Sequence, residues 1–216
     1  MQQIDAAAIE TLGIPRVLLM EHAGLAVVRA VHQVVPDPSA PLVVCCGTGW
    51  NGGDGLAAAR HLHERGHPLR VLVTGPLDRL REEPATYARI LRGLGLTLVE
   101  CLGPEGLGDL DRWLAGCRLV IDALLGIGAR GVVREPAASV IERINQSGKP
   151  VVAVDLPSGV DADTGRVQGV AVRATMTVAF GRAKRGCLLA EGPAHTGTLV
   201  VDPITIPLRL LEGAVG

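Results

Sequence analysis

Five short apolar runs, Pro41–Cys46, Leu69–Thr74, Leu96–Cys101, Arg118–Ala123 and Pro150–Asp155, alternate with segments of helical character along most of the chain. Strands at that spacing leave room for a crossover helix between each pair. This predicts βαβ units and a parallel sheet covered on both faces. Hydrophobic residues make up 48% of the chain and aromatics only 2%, so Val, Leu, Ile and Ala must build the core, as in buried parallel strands. Ile4–Leu12 and Val17–Val34, broken at Gly13-Ile14-Pro15, predict two helices ahead of the first strand. After Asp155, Gly169–Phe180 and Gly197–Ile206 predict two further strands joined by Gly181–Thr196. The expected class is α/β, with residues 1–216 forming a single domain around one core.

Between the first strand and the alanine-rich run Leu56–Arg65 lies Gly47-Thr48-Gly49-Trp50-Asn51-Gly52-Gly53-Asp54-Gly55. Glycines there let backbone N–H groups approach a ligand without Cβ obstruction, and the helix behind adds positive dipole. The stretch favours an anion such as a nucleotide pyrophosphate; a Gly-rich turn of purely structural use is the plainer alternative. Gly47, Gly49 and Gly52 satisfy G-x-G-x-x-G. The next strand nevertheless ends in Thr74-Gly75 without the acidic residue that binds a ribose, which disfavours a dehydrogenase of the usual kind. A P-loop is excluded, because no Lys-Ser/Thr pair follows and the only lysines are Lys149 and Lys184.

A net charge of −1 gives no electrostatic case for nucleic acid or anionic membrane. Neither a signal peptide nor a membrane-spanning run is evident, so a cytoplasmic protein is expected. Five cysteines occur without C-x-x-C spacing, and the neighbours Cys45 and Cys46 should point to opposite faces of one strand, as buried free thiols. His61 and His63, two apart on a helix, diverge and form no metal pair.

Ligands of open parallel sheets bind beyond the carboxyl ends of the strands. Three such ends carry polar chemistry: Asn51 and Asp54 after the first, Asp122 before the glycine-rich loop Gly126–Val132 with its Arg130, and Asp155 with Ser158 after the fifth. An aspartate closing a strand can also serve as a helix cap or turn former. Joined at one sheet edge, these oxygens suit substrate binding and a hard cation, whose identity spacing does not choose.

These segments resemble the YjeF N-terminal family of NAD(P)H-hydrate epimerases. The matching motifs run in order: Gly13-Ile-Pro-x4-Met20-Glu-x-Ala-Gly24, Asn51-Gly-Gly-Asp-Gly-Leu-x-Ala-Ala-Arg-His-Leu62, Asp122-Ala-Leu-Leu-Gly-x-Gly128, Asp155-Leu-Pro-Ser-Gly159 and Thr177-Val-Ala-Phe-Gly-x-x-Lys184. The resemblance implies a Rossmann-like three-layer αβα sandwich with a mostly parallel sheet and two N-terminal helices, usually dimeric. It implies interconversion of the R and S forms of hydrated NADH or NADPH (NADHX, NADPHX), with a separate dehydratase then restoring the cofactor, since no dehydratase domain is expected in this chain. Asn51, Asp122 and Ser158 match the family's potassium ligands. Trp50, Asn51, Gly52, Gly53 and Asp54, the loop Gly126, Ile127, Gly128, Ala129, Arg130, Gly131 and Val132, and Asp155 match its substrate contacts. Asp155 is then the expected proton-transfer residue, since burial at a strand end raises a carboxyl toward neutrality, and Arg130 the expected electrostatic partner.

Trp50 departs from the family pattern, which usually carries Asn there. Its indole offers one N–H donor and a large face, suited to stacking on a nucleotide ring or to covering the loop. Two other readings compete with the epimerase: a nucleotide-binding module of the same fold without turnover, and an NAD-linked oxidoreductase, disfavoured by the missing acid.

Overall fold

A computed structural model of the chain describes residues 2–213. Strands β1 (Leu42–Cys46), β2 (Leu69–Val73), β3 (Leu98–Glu100), β4 (Leu119–Ala123), β5 (Val151–Val154), β6 (Met176–Phe180) and β7 (Thr198–Asp202) form one sheet in the order β3-β2-β1-β4-β5-β6-β7. Every neighbouring pair is parallel, so the sheet is wholly rather than mostly parallel. The helices are α1 (Gln2–Ala6), α2 (Arg16–Val34), α3 (Trp50–Glu64), α4 (Glu82–Gly93), α5 (Pro104–Gly116), α6 (Ala137–Gln146), α7 (Gly192–Thr196) and α8 (Leu208–Glu212). A π-helical turn, Ala7–Thr11, continues α1.

The two faces of the sheet bury separate cores, which makes the sandwich three-layered. Val44, Cys46, Val71, Ile121 and Val152 pack with α2, α3 and α4 on one side. Val43, Cys45, Leu72 and Val120 pack with α5 and α6 on the other. Cys45 and Cys46 thus enter different cores, as strand alternation requires, and all five cysteines are free and buried. Strand order reverses direction between β1 and β4, and that switch point opens a crevice beyond their carboxyl ends.

Three expectations need correction. The segment 169–175 does not extend β6: Val172 N and Thr175 N donate to Ser158 O and Val151 O, while Asn145 bonds Ala171 O and Arg173 N. Its backbone groups are satisfied by loops and one side chain instead of a strand ladder. β7 stops at Asp202, whose Oδ1 accepts Ile204 N at 2.9 Å while Ile204 and Thr205 turn the chain with φ of 43° and 66°. Helix α3 begins at Trp50, well ahead of Leu56, so the run Asn51–Gly55 is helical. Packing overrides the poor helix propensity of glycine there. A Cβ on Gly52 would sit 1.9 Å from Gly47 O, and one on Gly55 2.5 Å from the Ala123 Cβ.

Both helices foreseen at the N-terminus are present, but α2 buries Leu19, Met20, Ala23, Val27 and Val31 inside this chain's own core. An interface would have to use other residues of that helix.

Candidate functional site

A cavity of about 960 Å³ occupies the crevice at the switch point. Gly47 to Asn51 and Asp54 border it from the β1–α3 junction, and Gly126 to Val132 from the loop after β4. Asp155, Lys184, Asp5 and Phe180 complete the border near the sheet. The first intrahelical bond of α3 runs from Gly53 N to Gly49 O at 3.1 Å. The N–H groups of Trp50, Asn51 and Gly52 therefore stay outside the ladder at the positive end of the helix. Gly52 and Gly53 are themselves buried and do not border the cavity; Gly49, around which a Cβ would meet nothing within 4 Å, is the glycine that leaves room there.

Asp155 follows β5 with φ at 67°, a left-handed conformation uncommon for a residue with a side chain. Its N–H still donates to Val178 O at 2.8 Å, so the bend redirects the carboxylate without losing the sheet. Oδ1 accepts Phe180 N at 3.0 Å and the ammonium of Lys184, which also donates to Phe180 O at 2.8 Å. Asp155 is 8% exposed and Lys184 5%, so this ion pair is desolvated on nearly every side but the cavity.

Two further carboxyls share this end of the cavity. Burial pushes Asp54 well above the usual carboxylate range, and the negative charges of Asp155 and Asp5 push the same way. Asp5, brought in by α1, is raised by burial and then by Asp155, against the opposing pull of Lys184. The site thus juxtaposes a carboxyl whose surroundings favour its protonated form and a carboxylate tied to an ammonium, an arrangement suited to acid–base chemistry.

A second polar cluster lies beside the first. Asp122, fully buried at the end of β4, accepts Ser158 Oγ at 2.6 Å and Leu124 N at 3.3 Å on Oδ1, and Ser158 N at 2.9 Å on Oδ2. Burial raises its carboxyl to about 6 despite these bonds. Ser158 Oγ also accepts Leu125 N at 2.9 Å, and Asn51 Nδ2 donates to Leu125 O at 3.0 Å. The last contact fixes the amide orientation, because only the NH2 end can bond a carbonyl, and it turns the Asn51 Oδ1 away as an available acceptor. Asn51, Asp122 and Ser158, far apart in sequence, therefore meet around the Leu124–Leu125 backbone. Among the described residues no group of three or more His, Cys, Asp or Glu side chains is placed to hold a metal. Hence any cation here would rest on one carboxylate with amide, hydroxyl and carbonyl oxygens. That donor set fits a hard monovalent ion better than a transition metal.

Arg130 borders the cavity but folds back on its own loop. It donates to Ile127 O at 2.9 Å and Ala129 O at 3.0 Å, and pairs with Asp163 at 3.4 Å, all in exposed contacts. The cation that actually touches Asp155 is Lys184, to which sequence reasoning gave no role although it lies in the last matched motif. Asp5 was missed as well; nothing in its spacing signals that α1 folds over the crevice. Trp50 lies beneath two guanidiniums, with the Cζ of Arg16 4.4 Å and that of Arg81 5.1 Å from a ring centroid. At least part of the ring is therefore engaged by the protein itself.

Comparison with known proteins bears on the family and the fold. Residues 17–186 match the family described as YjeF-related protein N-terminus. The bifunctional NAD(P)H-hydrate repair enzyme Nnr of Pyrobaculum aerophilum is 48% identical over 200 residues, covering 92% of this chain and 39% of the relative. The chain thus spans about two fifths of the length of such bifunctional relatives. The NAD(P)H-hydrate epimerase of Limosilactobacillus fermentum is 40% identical over 201 residues, covering 93% of this chain and 92% of that protein. The crystal structure of yeast ynu0 superposes with a TM-score of 0.85 at 25% identity, covering 100% of this chain and 90% of that one. The fold, the ordered motifs and these matches together place the chain in the YjeF N-terminal family.

Proposed function

We propose that the chain is an NAD(P)H-hydrate epimerase, interconverting the R and S forms of NADHX and NADPHX. The observation that carries this reading is the paired chemistry of one cavity: Asp155 tied to Lys184 borders the same space as Asp54, a carboxyl whose pKa its surroundings raise. Inverting a hydroxyl-bearing carbon requires one of its bonds to break and re-form on the opposite face, with protons given and taken at oxygen. Asp155 serves as base, its Oδ1 fixed by Phe180 N and Lys184 so that Oδ2 is left for the substrate. Asp54 serves as the proton-holding partner. Lys184 keeps the carboxylate oriented and offsets negative charge that develops beside it.

The free N–H groups opening α3 hold the nucleotide phosphates, and the Gly126–Val132 loop closes over the substrate. Arg130 exchanges its exposed loop and Asp163 contacts for a substrate oxygen. Asn51, Asp122 and Ser158 would hold a potassium ion, which would supply positive charge at the end of β4. A separate dehydratase is the pathway partner, the enzyme works as a homodimer, and the five free cysteines suit a cytoplasmic setting. Among the described residues no helix is long and apolar enough to cross a membrane.

The test uses racemic NADHX and a dehydratase that consumes only the S form. With this protein present, both halves of the substrate should disappear at the rate of the first half. Consumption that slows at one half to the spontaneous rate contradicts the reading.

A further inference from the structure

We propose that Arg16, Arg81 and Trp50 form a phosphate-binding subsite at the mouth of the cavity, taking a phosphate of the bound nucleotide. The proposal rests on the nucleotide-binding reading above for the identity of the ligand. All three side chains border the cavity, and both guanidiniums lie within cation–π range of the same indole. Two cations gathered on one ring repel each other, so the arrangement is costly unless an anion joins them. Arg16 has partial compensation, since Glu83 stands 3.9 Å away and its charge is felt at Asp5 and Asp54. Arg81 has none: among the described residues no carboxylate lies within ion-pair distance of it.

The cavity is consequently polarised. Asp5, Asp54 and Asp155 collect at one end near Lys184, while the rim at Trp50 carries an unbalanced positive charge. A substrate with an uncharged reacting ring and an anionic tail fits that polarity in one direction only. Cation–π contact with Trp50 uses none of the guanidinium N–H donors as a hydrogen bond, and Arg binds phosphate bidentately through such donors. The chain has Trp exactly where the resemblance leads one to expect Asn, so this rim is a property of the sequence in hand.

Two sources offer the same chemistry: the pyrophosphate of either dinucleotide, and the ribose 2′-phosphate found only on the NADP form. They are separated with ADP, 2′-AMP and adenosine as probes. Binding is read from Trp50 fluorescence in a Trp113→Phe background and repeated by calorimetry on the native chain. Arg16→Gln and Arg81→Gln should each weaken one or both phosphorylated probes about tenfold and leave adenosine unchanged. Weakening of ADP alone assigns the pyrophosphate; weakening of 2′-AMP assigns the 2′-phosphate and predicts a matching preference for NADPHX. Unchanged binding of both phosphorylated probes overturns the subsite, as does an equal loss for adenosine. Phosphate binding that persists in a protein without R/S interconversion would sink the epimerase reading and leave the subsite standing.

Discussion

Lys184 and Asp155, 29 residues apart, close on each other beneath the cavity, and Lys184 also bonds the carbonyl of Phe180, whose own N–H holds the same Asp155 oxygen. Carboxylate, ammonium and one peptide form a closed ring of contacts with almost no water around it. Removing one charge from such a pair leaves the other buried and uncompensated. Lys184→Met should therefore destabilise the fold by about 3–5 kcal/mol. The double variant Lys184→Met/Asp155→Asn should be less destabilised than the sum of the two singles. Urea unfolding of the four proteins checks this; strict additivity would mean the two groups do not act as a pair.

Asp54 predicts an opposite sign. Its folded-state pKa is raised above 3.8, chiefly by burial, so its contribution to stability is complete below that value and is lost as pH rises through the folded pKa. Asp54→Asn stays neutral throughout. Its melting temperature should exceed the native one by a margin that widens as pH rises above about 4, while epimerisation falls. A margin that does not change with pH would contradict the assignment.

Two histidines act with the opposite sign, losing stability as pH falls. His32 is lowered from 6.5 by burial and then by its neighbour His67, whose Nε2 stands 3.2 Å from its own; His61 is lowered by burial and then by Arg60. Groups depressed in the folded state contribute stability above 6.5 that is lost as pH falls through their folded values. His32→Gln and His61→Gln should each flatten the decline of melting temperature between pH 7 and pH 5. A decline as steep as the native one in both would place its cause elsewhere.

The glycines divide into two kinds with different tests. Gly52→Ala would force a Cβ to 1.9 Å from Gly47 O and should cost about 3 kcal/mol or more. Gly49→Ala meets nothing within 4 Å and should leave stability within about 0.5 kcal/mol while weakening nucleotide binding. Thermal melts with and without NADP+ separate the two effects, and equal destabilisation by both would refute the division.

Much of this was legible before any coordinates. The β1–α3 junction, the switch point and the meeting of Asn51, Asp122 and Ser158 follow from strand-end residues in a parallel sheet, because that topology brings carboxyl ends together whatever the loops do. Lys184, Asp5 and Arg81 were not legible in the same way. Asp5 and Lys184 reach the cavity from segments outside the first five βα repeats, and Arg81 from the long connection between β2 and α4, by paths that no local pattern encodes. The early start of α3 was hidden for a different reason: its glycines argue against a helix until the close approach of Gly47 and Ala123 shows why nothing larger fits.

A cation bound only by the folded protein should raise its melting temperature by mass action. If Asn51, Asp122 and Ser158 select potassium, the melt in potassium chloride should exceed that in sodium chloride at equal ionic strength, and Asp122→Asn should abolish the difference. Identical melts in both salts would remove potassium from the account.

The most direct measurement follows pure R-NADHX by chromatography with the native protein, with Asp155→Asn, and with buffer alone. The account predicts rapid approach to the R/S equilibrium with the native chain and a fall of about 10²-fold or more for Asp155→Asn. A native rate equal to the buffer rate, or an Asp155→Asn rate equal to the native one, would contradict it.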